Sequence, residues 1–143
     1  MNEILNNKTG LPETRVNEKP MLKLLNLGRL GKVNSGRLIF ADGQMFMMGK
    51  NELHMFQWFE FTKIKQEGME HLQQIIRNDF FTLSEESLPR MSTNSLFWQA
   101  NLDGRSKDYI VSSGFYTKLP SAFQKIEDSI NTFMYRLNEK IAD

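Results

Sequence analysis

Two stretches of the chain set apolar residues, in runs or in alternation with polar ones, on either side of an Asp-Gly pair, and each predicts a β-hairpin. In the first, Arg37-Leu38-Ile39-Phe40-Ala41 and Gln44-Met45-Phe46-Met47-Met48 flank Asp42-Gly43. In the second, Leu96, Trp98, Ala100 and Leu102 alternate toward Asp103-Gly104, and residues 105–112 return. Two-residue turns of type I′ fit both, because Asp-Gly tolerates positive φ at both central positions. Such a turn in the second hairpin sets Trp98 opposite Tyr109 and Leu96 opposite Val111, cross-strand pairs that favour a sheet. Residues 53–64 predict a long aromatic strand, with Leu53, Met55, Phe59 and Phe61 on one side and His54, Phe56, Trp58 and Ile64 on the other. Residues 21–27 fit either a short strand or a helical turn. Gly28, Gly31 and Asn34-Ser35-Gly36 predict a turn-rich link, and residues 49–52 a further turn.

Helical period replaces alternation in two places. Met69, Leu72, Ile76 and Phe80 recur every three or four residues over 66–80, although Gly68 weakens the first turn. Beyond Pro120, a good first-turn residue, Phe123, Ile126, Ile130, Phe133, Met134, Leu137 and Ile141 predict a long amphipathic helix over 120–140. Such a helix needs an apolar surface to cover, most simply one face of the sheet. The pattern therefore predicts an α+β fold: a single antiparallel sheet of four to six strands built from hairpins, with the long C-terminal helix and the shorter one packed on it. Residues 1–20 have neither period and contain Pro12 and Pro20, so they are expected to form a flexible N-terminal arm ahead of one domain over 21–143.

Composition narrows the chemistry. The 143 residues hold no cysteine, which excludes disulfides, thiolate metal sites and a cysteine nucleophile. A formal charge of +1 offers no global attraction to nucleic acid or membrane. The first 40 residues carry seven basic side chains against three acidic, a modest polarity. No charged leader with an apolar core opens the chain, and no window is apolar enough to span a bilayer, so a cytoplasmic protein without a membrane span is expected.

Candidate sites for chemistry are sparse. His54 and His71 are the only histidines and share no metal-ligand spacing, so no metal or cofactor is expected. Glu67 and His71 stand four apart on a helix, a spacing that surface contacts explain. Gly28-Arg29-Leu30-Gly31-Lys32 is glycine-rich and basic but lacks the spacing and the following helix of a phosphate cradle. Serines 84, 87, 92, 95, 112 and 113 sit in or beside predicted loops without a nucleophile elbow. The pairs Glu85-Glu86 and Glu127-Asp128 are both in solvated contexts. An enzyme is not expected.

From Glu67 onward the chain resembles a family of small bacterial domains of unknown function. The resemblance rests on Asn78-Asp79-Phe80-Phe81-Thr82-Leu83, a polar loop, the strands about Asp103-Gly104 and a helix begun by Leu119-Pro120. It covers about half the chain. It implies an α+β fold and no catalytic residue.

What stands out is the density of apolar side chains in the middle of the chain, with Met45, Phe46, Met47 and Met48 consecutive. Four consecutive apolar residues in a strand cannot all face one core. Either both sheet faces are covered, one by helices and one by the N-terminal segment, or part of a face is open to a partner. The open reading predicts a non-catalytic protein-binding module, an immunity-type inhibitor or a homodimer, acting through Met45, Phe46, Met47, Phe56, Trp58, Phe59, Trp98 and Tyr109. The alternative is a small-molecule pocket between sheet and helices lined by Phe46, Phe56, Trp58 and Trp98. Nucleic acid is a weaker prospect, because Lys63 and Lys65 are the only cations close to the aromatic strand.

Overall fold

The hairpins join into a six-stranded antiparallel sheet: β1 (Leu22–Leu27), β2 (Val33–Ile39), β3 (Gln44–Lys50), β4 (Phe56–Lys63), β5 (Ser95–Leu102) and β6 (Arg105–Ser112). Their spatial order is β4-β3-β2-β1-β5-β6. The structure, a computed structural model, describes residues 4–28, 32–84, 95–112, 119–136 and 139. Residues 29–31, the Glu85-Glu86 pair, Ser87, Pro89, Ser92, Ser113, Gly114 and the predicted last helical turns at Leu137, Asn138, Lys140 and Ile141 lie outside them. Helix α1 (Gln66–Ile75), a π-helical turn (Ile76–Phe80) and helix α2 (Ser121–Phe133) cover one sheet face. No helix is long and apolar enough to cross a membrane among the described residues.

The β5–β6 hairpin has the expected register, with Trp98 opposite Tyr109 and Leu96 opposite Val111. Asp103 at φ 56° and Gly104 at φ 74° are its two left-handed turn residues. The β2–β3 hairpin is built differently. Ile39 pairs with Met45, the Phe40 amide donates to the Gln44 carbonyl, and only Gly43 has positive φ. This is a three-residue loop with glycine in the left-handed position, and the Asp42 carboxylate receives the Gln44 amide at 3.0 Å.

One predicted turn is strand, and Gly49 and Lys50 of another close β3. Asn34, Ser35 and Gly36 belong to β2, where the Asn26 side chain donates to the Ser35 hydroxyl across the pair at 2.6 Å. Gly36 is needed because a Cβ there would stand 2.7 Å from Leu25 and 3.1 Å from the Trp58 ring. Conversely, β4 begins at Phe56, not Leu53. The Asn51 side chain accepts the Leu53 and Met55 amides at 2.9 and 3.0 Å, and His54 takes φ 58°, so 51–55 form the hairpin loop.

Helix α2 has 13 residues, shorter than the pattern predicted. At Met134 the backbone turns extended and joins the outer edge of β4: the Tyr135 amide donates to the Lys63 carbonyl and the Lys65 amide to the Phe133 carbonyl, both at 2.9 Å. Tertiary hydrogen bonds thus end a helix that periodicity alone would extend. Gly68, which weakens α1, is where the helices touch, since a Cβ there would collide with the Phe133 side chain.

Residues 4–20 are placed against the sheet rather than standing off it as an arm. Leu5 and Pro12 bridge, Glu13–Arg15 form a 3₁₀ turn, and the Trp58 amide donates to the Thr9 carbonyl at 2.8 Å. Leu11 packs with Leu38, Phe40, Phe46 and Trp58 on the face away from the helices. Arg15 lies 4.5 Å over the Phe40 ring and pairs with Glu18 and Asp42. The N-terminal segment therefore covers this second face over Leu38, Phe46 and Trp58 of β2, β3 and β4.

Candidate interaction surface

Strand register places side chains from all six strands in one row: Tyr109, Trp98, Leu24, Arg37, Met47 and Phe59. Directly paired residues share a sheet face, and this row lies on the helix side. Relative exposure along it is 2% at Tyr109, Trp98 and Leu24, then 37% at Met47 and 46% at Phe59. Helix α2 accounts for the change. Its Phe123 stacks on Trp98, with ring centroids 4.3 Å apart and planes within 3°. Its Glu127 meets Arg37 in a two-point ion pair. Past that pair the row continues for two strands without cover, although Met45, two residues along β3 on the same face, is packed under α1.

Phe59 lies over Gly49 of β3, where a Cβ would stand 3.2 Å from the ring. Phe61 is also exposed, at the irregularity that separates the Glu60 and Thr62 pairings. Beside them the loop presents Leu53 and Met55, while on the other face Phe56 opens β4 with the Lys50 ammonium 5.4 Å over its ring. Of nine exposed large apolar residues among the described ones, six belong to the β3–β4 hairpin: Met47, Leu53, Met55, Phe56, Phe59 and Phe61. On the face away from the helices, Leu5 lines a small cavity of about 140 Å³ together with Phe46 and Trp58.

The eight sequence-predicted residues divide accordingly. Phe56 is exposed on the face away from the helices, opposite Lys50, while Met47 and Phe59 are exposed on the helix side. Trp58 faces the other way, half-buried against Leu11 and Phe46. Met45, Phe46, Trp98 and Tyr109 are buried and cannot contact a partner. The Tyr109 hydroxyl is held within 3.0 and 2.7 Å of the Phe80 and Leu83 carbonyls, a core role. Leu53, Met55 and Phe61 join the surface although sequence reasoning used them only as strand residues. The signal was available: apolar residues from 53 to 61 outnumber what one covered face accepts.

The predicted ligand pocket does not assemble. Trp98 is under α2, Phe46 and Trp58 are on the opposite face, and Phe56 is exposed. A separate groove of about 500 Å³ between α1 and α2 is lined by His71, Asp79, Lys125, Asp128 and Ser129 among others. There His71 Nδ1 and the buried Ser129 hydroxyl are 2.7 Å apart, so His71 bridges to α2 and gives that buried hydroxyl a partner. Among the described residues no carboxylate bonds the other imidazole nitrogen, and no three metal-binding side chains converge.

Charges on the helix side act as fasteners. Arg77 holds Asp103 at 2.6 and 3.1 Å, tying the π turn to the β5–β6 loop. Its hydrogen bonds keep the Asp103 carboxyl below the usual carboxylate range. Lys65, 2.8 Å away, does the same for Glu139. Compared with known protein families and with characterised proteins, the chain has no match.

Proposed function

We propose that this protein is a non-catalytic binding module that engages a protein partner through the open β3–β4 surface. The observation that carries the reading is the register row, whose apolar positions run past the Arg37–Glu127 pair with no helix above them. Burying one large apolar side chain is worth about 1.5–3 kcal/mol, so an open group of Met and Phe at a hairpin favours association with a complementary apolar surface. The β3–β4 hairpin carries Lys50, Glu52, Glu60 and Lys63, charges of both signs, which suits a protein better than a polyanion. Inhibition of the bound protein in the cytoplasm, as immunity proteins neutralise toxins, is the form we favour by analogy. The resemblance to small bacterial domains carries no residue with a chemical role and leaves the reading unchanged.

A photo-crosslinking residue at Phe59 should capture one discrete protein, and the purified partner should then bind wild type and lose affinity for Met47→Ser/Phe59→Ser. Equal binding by wild type and a normally folded double variant would overturn the proposal.

A further inference from the structure

At the opposite end of the sheet, β6 has no strand on its outer side among the described residues. The two-residue turn makes Leu102 and Arg105 a hydrogen-bonded pair, so alternate residues from Arg105 bond to β5. The backbone groups of Ser106, Asp108, Ile110 and Ser112 therefore point outward. On the face away from the helices, Leu25, Phe97 and Ile110 form an apolar row that runs to this edge. Its last member, Ile110, is 45% exposed, while Leu25 is buried.

We propose that β6 pairs antiparallel with β6 of a second copy of this chain, centred on Ile110, to give one continuous twelve-stranded sheet. Hydrogen bonding and charge select that centre. A two-fold pair must set outward-bonding residues opposite one another. Centring on Ser106 places Arg105 against Lys107, and centring on Lys107 places two ammonium groups together. Centring on Asp108 opposes two carboxylates, and centring on Tyr109 sets Ile110 against Asp108. Of the centres from Ser106 to Ile110, only Ile110 opposes no charge within β6 to a like charge or an apolar side chain, and it keeps three hydrogen-bonded pairs within the strand where a Val111 centre keeps two. It sets Ile110 against its own copy, Tyr109 against Val111 and Asp108 against Ser112, and the Leu25-Phe97-Ile110 row continues into the second molecule. Three hydrogen-bonded pairs give about six backbone bonds, so a weak, concentration-dependent dimer is expected. The pairing is remote from the β3–β4 surface and independent of its function.

Because the chain has no cysteine, an introduced one is its sole thiol. Hydrogen-bonded residues opposite each other are about 5.5 Å apart at Cα, within disulfide range. Under mild oxidation Ile110→Cys should form a covalent dimer at least about ten times faster than Ser106→Cys, which is also exposed but out of register. Sedimentation of wild type should show a monomer–dimer equilibrium that Ile110→Lys abolishes with the unfolding temperature unchanged, while Phe59→Ser dimerises normally. A wild-type monomer at every concentration, equal cross-linking from both thiols, or a dimer that survives Ile110→Lys would overturn the inference.

Discussion

At the β5 and β6 end of the register row an aromatic residue is core, and at the β3 and β4 end it is surface, although both ends are equally apolar in sequence. Trp98 and Phe59 are both aromatic, both lie in the interior of their strands and both point to the helix side. What separates them is the reach of α2, which ends its cover at the Arg37–Glu127 pair. Hydrophobicity places a side chain on a face, and cover from a distant element decides whether that face is core.

Mutations at the two ends should differ accordingly. Trp98→Ala removes a ring stacked on Phe123 and leaves a cavity, so it should cost about 3–5 kcal/mol in chemical denaturation. A cost near that of a surface substitution would break the contrast. Gly68→Ala should destabilise by about 1–3 kcal/mol, because the collision with Phe133 outweighs the roughly 1 kcal/mol that alanine gains in helix propensity. A stabilised variant would mean that α2 sits further from α1 than described. At the other end, Phe59→Ser should change stability by less than about 1 kcal/mol while weakening partner binding.

The Arg77–Asp103 pair gives the smallest and most conditional effect. Folding lowers the Asp103 carboxyl, so its contribution is present above the unfolded-state value and is lost as pH falls through the lower folded value. Below about pH 4, wild type should lose stability more steeply than Asp103→Asn, which keeps the left-handed turn but does not titrate. Parallel acid profiles from thermal unfolding would remove Asp103 from the account.

How much was legible in the sequence follows the same division. The Asp103-Gly104 turn and the Trp98–Tyr109 pairing could be read because a local turn fixes a whole register. The same dipeptide at Asp42-Gly43 misled, since a three-residue loop also ends on glycine. The end of α2 and the strand within 34–36 were hidden because long-range partners set them: Lys63 and Lys65 for the helix, Leu25 and Trp58 for Gly36. Excess apolar character near Phe59 was legible. Which members of the set Met45, Phe46, Met47, Trp98 and Tyr109 remain open depends on α2 and on Leu11, whose positions no local pattern encodes.

Methionine oxidation provides the most direct test, because Met45 and Met47 share one strand and one face yet differ in cover. On brief peroxide treatment of the folded protein, peptide mass analysis should find Met47 and Met55 converted to sulfoxide well ahead of Met45 and Met69, which are buried. Protection of Met47 equal to that of Met45 in the monomer would contradict the claim that the β3–β4 half of the sheet lies open.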